Sequence, residues 1–204
     1  MGKTICFTGH RPAQLGFVKS EPGWNGKMRL IYAYDRASYH DFISQLADLL
    51  EIKFSEGYTD FLTGGAQGVD MLAFWAVEEI KRRGLKAKNI LCMPFEGQSQ
   101  RWSKRGVFSQ DDFGKIRAAV DEVRTVVPGE LDDKQKIQAL LTRNHYMVDH
   151  ADLCIALLNS DKYGRGGTAE CCRYCDKKRV PVLYLDAGVE EIDNREKLLL
   201  NGIR

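Results

Sequence analysis

The sequence predicts an α/β protein with a single Rossmann-like domain, a doubly wound, mainly parallel sheet with helices on both faces. Two observations predict it. Short, continuously apolar runs alternate along the chain with longer runs of helical period, the pattern of strands covered on both sides. In addition, two glycine turns, Thr63-Gly64-Gly65-Ala66-Gln67-Gly68 and Gly164-Arg165-Gly166-Gly167-Thr168, each join an apolar run to a helical one, and in a parallel sheet all such junctions open on the same edge. The 204 residues suit one domain spanning 1–204.

The first strand, Thr4 to Thr8, leaves no room before it for a signal peptide, and no run reaches membrane-spanning length, so a cytoplasmic protein without membrane contact is expected. From 13 to 34 the chain carries Pro22, Gly23, Trp24 and Gly26 without a period and reads as an irregular insertion. A helical stripe of Tyr39, Phe42, Ile43, Leu46, Leu49 and Leu50 leads to a strand from Asp60 to Thr63. After the first glycine turn, Val69, Leu72, Ala73, Ala76, Val77 and Ile80 mark the clearest amphipathic helix, Gly68 to Arg83. Asn89 to Pro94 is the next strand, and the polar, aromatic segment from Glu96 to Asp112 reads as an irregular loop that covers a ligand. A strand from Thr125 to Pro128 and a stripe of Ile137, Leu140, Leu141, Met147 and Val148 precede the strand Leu153 to Asn159. Thr168 is a good N-cap for the last helix, with Glu170 favourably placed in its first turn, and a strand from Pro181 to Asp186 follows.

A net charge of +2 gives the chain no bulk attraction to nucleic acid or anionic membrane. The basic clusters Lys81-Arg82-Arg83 and Lys177-Lys178-Arg179 fall at helix ends, where cations meet the negative end of the dipole. Cys6, Cys92, Cys154, Cys171, Cys172 and Cys175 sit mostly in apolar runs and behave as small hydrophobes in a reducing compartment. Cys172 and Cys175 are spaced CxxC, but no second pair or histidine stands nearby, so they read as core packing and no metal site is expected.

Four strand ends deliver polar or glycine-rich loops to one edge: Thr8-Gly9-His10-Arg11, the Gly64 turn, the loop with Glu96 and Gln98, and the loop from Asn159 to Thr168. Glycine lets the backbone pass close to an anion, and the first turn of the following helix offers unpaired N–H groups. Neither turn matches the GxGxxG dinucleotide fingerprint or ends in the lysine and hydroxyl of a phosphoryl-transfer loop. Asn144 falls on an apolar stripe, where a buried amide needs a partner, whereas Arg143 reads as a helix-flank residue that faces solvent and can reach over the edge.

Cys6-Phe7-Thr8-Gly9-His10-Arg11-Pro12, Gly64-Gly65-Ala66-Gln67-Gly68-Val69-Asp70, Pro94-Phe95 with Gln98 and Trp102, Arg143-Asn144 and Gly166-Gly167-Thr168 together closely resemble the YpsA-like branch of the SLOG superfamily, over nearly the whole chain. The resemblance implies a Rossmann-like fold and kinship with Smf/DprA proteins, which bind single-stranded DNA, with LOG phosphoribohydrolases, which release a base from nucleoside monophosphates, and with domains that sense forms of ADP-ribose. LOG enzymes carry an arginine in an R-K-x-x-M helix and a glutamate closing P-G-G-x-G-T-x-x-E. Arg143 and Met147 match the first pattern with Asn144 in place of lysine; in the second, Cys171 stands where the glutamate belongs, and Glu170 comes one residue early, about 100° round a helix.

The function expected is binding of a nucleotide derivative, such as ADP-ribose or an NAD-derived or related phosphorylated compound, by a sensor or sequestering module that requires no cofactor. Its ligand residues would be Thr8, Gly9, His10, Arg11, Gly64, Gly65, Ala66, Gly68, Asp70, Glu96, Gln98, Trp102, Arg143, Asn144, Gly166, Gly167 and Thr168. The alternative is a LOG-like nucleoside monophosphate phosphoribohydrolase with Arg143 and Glu170 as catalytic residues; single-stranded DNA binding is a third reading, against which the near-neutral charge counts. Self-association into a homo-oligomer stays open. On the binding reading, Gly65→Val abolishes ligand binding and leaves the fold intact.

Overall fold

The apolar runs form strands because each can hide side chains on both faces, and the helical runs supply the two covers. The computed structural model describes residues 2–12, 18–22, 28–32, 36–105, 108–158 and 166–186. Its elements in chain order are β1 (Lys3–Gly9), β2 (Val18–Pro22), β3 (Met28–Tyr32), α1 (Arg36–Ser55), β4 (Tyr58–Thr63), α2 (Val69–Arg82), β5 (Lys88–Met93), α3 (Gln110–Ala119), β6 (Glu122–Thr125), α4 (Asp133–Asp149), β7 (Leu153–Leu158), α5 (Gly167–Lys178) and β8 (Val182–Asp186). The main sheet has the order β6-β5-β4-β1-β7-β8, and every neighbouring pair in it is parallel. The fold class expected from the sequence is therefore the one observed.

Alternate residues of each strand serve different cores. Ile5, Phe7, Phe61, Leu91, Met93 and Ile155 pack with apolar residues of α1, α2 and α3. Cys6, Leu62, Ile90, Cys92, Cys154 and Ala156 pack with Met147 and Val148 of α4 and with Cys171, Cys172 and Cys175 of α5. The chain first builds outward from β1 through β4, β5 and β6, then α4 carries it back to β7 on the other side of β1. The order reverses at β1, so the crevice beyond the carboxyl ends of β1, β4 and β7 is where an open α/β sheet takes a ligand.

Four elements differ from expectation. The strand expected at Thr125 to Pro128 is β6, Glu122–Thr125, paired Ile90↔Glu122 through Met93↔Thr125. The apolar residues that suggested the later position continue it, since the Val126 and Val127 amides donate to the carbonyls of Met93 (2.8 Å) and Pro94 (3.0 Å); an edge strand has no need of continuous hydrophobicity. Within 13–34, β2 and β3 pair antiparallel from Val18↔Tyr32 to Pro22↔Met28. Pro22 closes its strand, where a missing N–H costs little. The segment from Glu96 turns helical at Gln110, because the buried Ser109 side chain accepts from the Asp112 amide and caps α3.

In α4 the buried residues are Ala139, Arg143, Met147 and Val148, whereas Ile137 is 66% exposed and Leu140 and Leu141 are half-buried. The expected stripe is rotated: small Ala139 lets the helix approach the sheet, and Arg143 one turn later points inward. Asp132 and Gln135 form a reciprocal capping box, each side chain accepting from the other's amide at 2.8 and 2.9 Å. Asp132→Ala should lower the unfolding free energy by about 1 kcal/mol in urea denaturation; an unchanged midpoint would mean that water replaces the cap without loss. The basic clusters close α2 and α5 as expected, with Lys81 and Arg82, and Lys177 and Lys178, in their last turns. No helix among the described residues is long and apolar enough to cross a membrane.

Candidate functional site

The end of β1 and the start of α2 are pressed together. A Cβ on Gly9 would overlap the Val69 side chain, and one on Gly68, whose φ is +99°, would lie 2.6 Å from the His10 carbonyl oxygen. That carbonyl faces the Val69 amide at 3.5 Å, so the first turn of α2 is partly covered by the chain itself. His10 and Thr8 are buried here and Arg11 is exposed at the rim.

The Gly64 turn is shaped by what lies beneath it. Arg143 and Asp70, 5% and 7% exposed, form an ion pair at 3.0 Å from Nη1 to Oδ2. The same Oδ2 accepts from the Ala66 amide at 3.2 Å. A Cβ on Gly64 would overlap the Arg143 guanidinium, and one on Gly65, at φ +64°, would come within 2.6 Å of Leu91 Cδ1 and 2.8 Å of Phe113 Cε2. Gln98 adds a staple, its Nε2 donating to the carbonyls of Gly65 (3.2 Å) and Gly64 (3.4 Å). These glycines are thus required by the protein's own packing, and Gly65→Val would disturb the fold as well as any ligand contact.

Arg143 and Asn144 exchange the roles expected from sequence. The arginine is the inward residue, and its buried Nε has no hydrogen-bond partner among the described residues; Asn144 is half-exposed and lies on the side facing α5, its Nδ2 4.0 Å from where a Gly167 Cβ would be. Sequence spacing could not separate the two positions, because both border the same apolar run.

The start of α5 is the open part of the edge. Its N-cap is Gly166, at φ +95° and without a side-chain cap, rather than Thr168, which lies buried in the first turn. Gly166 and Gly167 are exposed, and a Cβ on Gly166 would meet nothing within 4 Å among the described residues. The helix therefore presents its first amides outward with the positive end of its dipole. Residues 159–165, which include Gly164 and Arg165, lie outside the described residues.

The remaining candidates spread along the edge. Glu96 accepts from Thr125 Oγ1 at 2.8 Å and pairs with Arg117 at 3.2 Å, which draws it toward β6. Trp102 is half-buried, edge-on to Phe113 at 5.4 Å, and anchors its loop to the core beside α3. Glu170 pairs with Arg173 at 2.8 Å and stands 3.9 Å from His145 Nε2; no contact with Arg143 is found among the described residues. Cys171, next along α5, is fully buried and in contact with the Thr8 hydroxyl. The Cys154 and Cys175 thiols, then the Thr8 hydroxyl and nearby Arg143, hold the Cys171 thiol below its ordinary range, an influence that nothing adjacent in sequence suggested. Along the outer flank of α2, Ile43, Met71, Leu72, Trp75 and Phe108 line a separate open groove of about 430 Å³.

With this geometry, the family model YpsA, described as the YspA SLOG family, matches residues 5–187. The chain belongs to the YspA SLOG family. This SLOG protein is also 31% identical over 139 residues, 65% of its own length and 78% of the relative's, to the uncharacterized SPbeta prophage-derived protein YoqJ of Bacillus subtilis (strain 168). The resemblance read from the motifs is thereby established. The matched region runs from β1 through β8, so every strand end of the crevice belongs to the family's common part.

Proposed function

We propose that this SLOG protein binds a phosphorylated nucleotide derivative, with ADP-ribose and NAD-derived compounds as the ligand class, and acts as a sensor or sequestering module. The observation that carries the reading is the uncapped, outward-facing N-terminus of α5 at the reversal point of the sheet, with the Asn144 amide beside it. A phosphate seated there gains several backbone N–H bonds and the helix dipole, and Thr8 and exposed Arg11 stand at the neighbouring end of β1. The Gly64 turn serves as the rigid floor, stapled by Gln98 and held over the Arg143–Asp70 pair. Binding is favoured over hydrolysis because Glu170 is engaged by Arg173 and a buried thiol occupies the position where the hydrolase pattern has its carboxylate.

A ligand present at 100 times its dissociation constant stabilises a protein by about 2.7 kcal/mol, which for a chain of this size raises Tm by roughly 5–11 °C. Thermal shift assays against ADP-ribose, NAD, AMP and cyclic nucleotides should find such a rise for at least one; no shift from any of them would reject the reading. Purified protein should also release no free base from AMP at an enzymatic rate. Turnover that Glu170→Gln stops and Cys171→Ala leaves unchanged would replace the binding module by the phosphoribohydrolase.

A further inference from the structure

The two cores of this protein differ in one respect that the ligand site does not explain. All six cysteines lie in the core under α4 and α5, and none lies in the other. Three of them converge: the sulfurs of Cys154 on β7 and of Cys171 and Cys175, one turn apart on α5, lie within 4.8 Å of one another, and all three residues are fully buried. Spacing along the chain pairs Cys172 with Cys175. The convergent pair on the helix is instead Cys171 with Cys175, and their third partner comes from a strand that only the fold brings near.

We infer that Cys154, Cys171 and Cys175 form a binding site for a single thiophilic metal ion of the Cu(I) or Zn(II) class. A metal–sulfur bond of about 2.3 Å places the sulfurs of one coordination sphere close to 4 Å apart, a spacing that small side-chain rotations reach from the present one. Hard, oxygen-seeking cations have no ligand in this all-sulfur pocket, whereas thiolates select Cu(I) and Zn(II). Cys6, the register partner of Cys154 on β1, lies in the same core; its sulfur is outside the convergent group of three, so an ion that needs four sulfurs would have to draw it in. The Thr8 hydroxyl and the Arg143 guanidinium border Cys171. Metal binding changes no oxidation state; each sulfur still protonated gives its proton to solvent as its bond to the metal forms. Because Thr8 and Arg143 belong to the candidate ligand site as well, the metal would lie directly behind it. The inference nonetheless stands without any nucleotide.

The test uses the full-length, reduced, metal-free protein, titrated separately with Cu(I) and with Zn(II) under competition from a chelator of each. One equivalent of at least one ion should bind, and the arm that succeeds identifies the metal. X-ray absorption of the loaded protein should count three or four sulfur neighbours and no nitrogen or oxygen. Cys171→Ser and Cys175→Ser should each weaken binding by at least the about tenfold that the loss of even an outer-shell partner costs, while Cys92→Ser and Cys172→Ser keep wild-type affinity. Should the cluster variants fail to fold, the sulfur count on wild-type protein decides alone. Failure of both ions to bind, nitrogen or oxygen in the coordination sphere, or undiminished affinity in a folded Cys171→Ser protein would each overturn the site.

Discussion

Arg143→Met is expected to lower the unfolding free energy by about 3–5 kcal/mol, the cost of leaving one member of a buried ion pair without the other. Asp70 is 7% exposed and faces Arg143 Nη1 at 3.0 Å, with the Ala66 amide as its other donor. Methionine preserves much of the volume and none of the charge, so the loss is electrostatic. Asp70→Asn in the same chain should restore most of the stability, since the double variant buries no charge. Urea unfolding of wild type, both single variants and the double variant closes the cycle. A single variant within about 1 kcal/mol of wild type would show that the pair behaves as a hydrated surface contact. The same substitution removes the support under Gly64, so ligand affinity should fall with it.

Gly64→Ala should produce the second large effect, about 3 kcal/mol or more, because the new methyl group and the Arg143 guanidinium claim the same space and the ion pair must break or shift. The informative contrast is Gly166→Ala. There the added carbon meets nothing within 4 Å among the described residues, and the cost comes from the backbone, whose φ of +95° with ψ of −177° is a region held almost only by glycine, about 1–3 kcal/mol. Gly166→Ala should therefore remain folded while narrowing the approach to the α5 amides, and a thermal shift titration should show weaker binding of whichever nucleotide stabilises wild type. Equal destabilisation by the two alanines would contradict the division between a packed turn at Gly64 and an open one at Gly166.

Much of the fold is legible in local pattern. The strands at Thr4 to Thr8, Asp60 to Thr63 and Asn89 to Pro94 and the helix from Gly68 to Arg83 are observed within a residue or two, because a doubly covered strand and an amphipathic helix each write their period into neighbouring residues. Elements that depend on a partner are less legible: β6 is a short edge strand held by β5, and among the described residues β2 and β3 pair only with each other. At the site, the glycines were conspicuous, but the reason for them was divided. Those of the Gly64 turn make room for Arg143, Leu91, Phe113 and the chain around His10, while Gly166 leaves a helix end open.

By itself the sequence determined the fold class, the family and the edge at which the glycine turns emerge, since each rests on the order of residue types along the chain. Only the tertiary structure decided that Arg143 points inward and Asn144 outward, that Gly166 rather than Thr168 caps α5, and that Cys154 joins Cys171 and Cys175. The first and the last share one physical reason. Successive residues on a helix point about 100° apart, so neighbouring positions differ only by the rotation of the helix about its axis. That rotation is settled by packing against the sheet, through contacts such as Arg143 with Asp70 that join residues 73 positions apart.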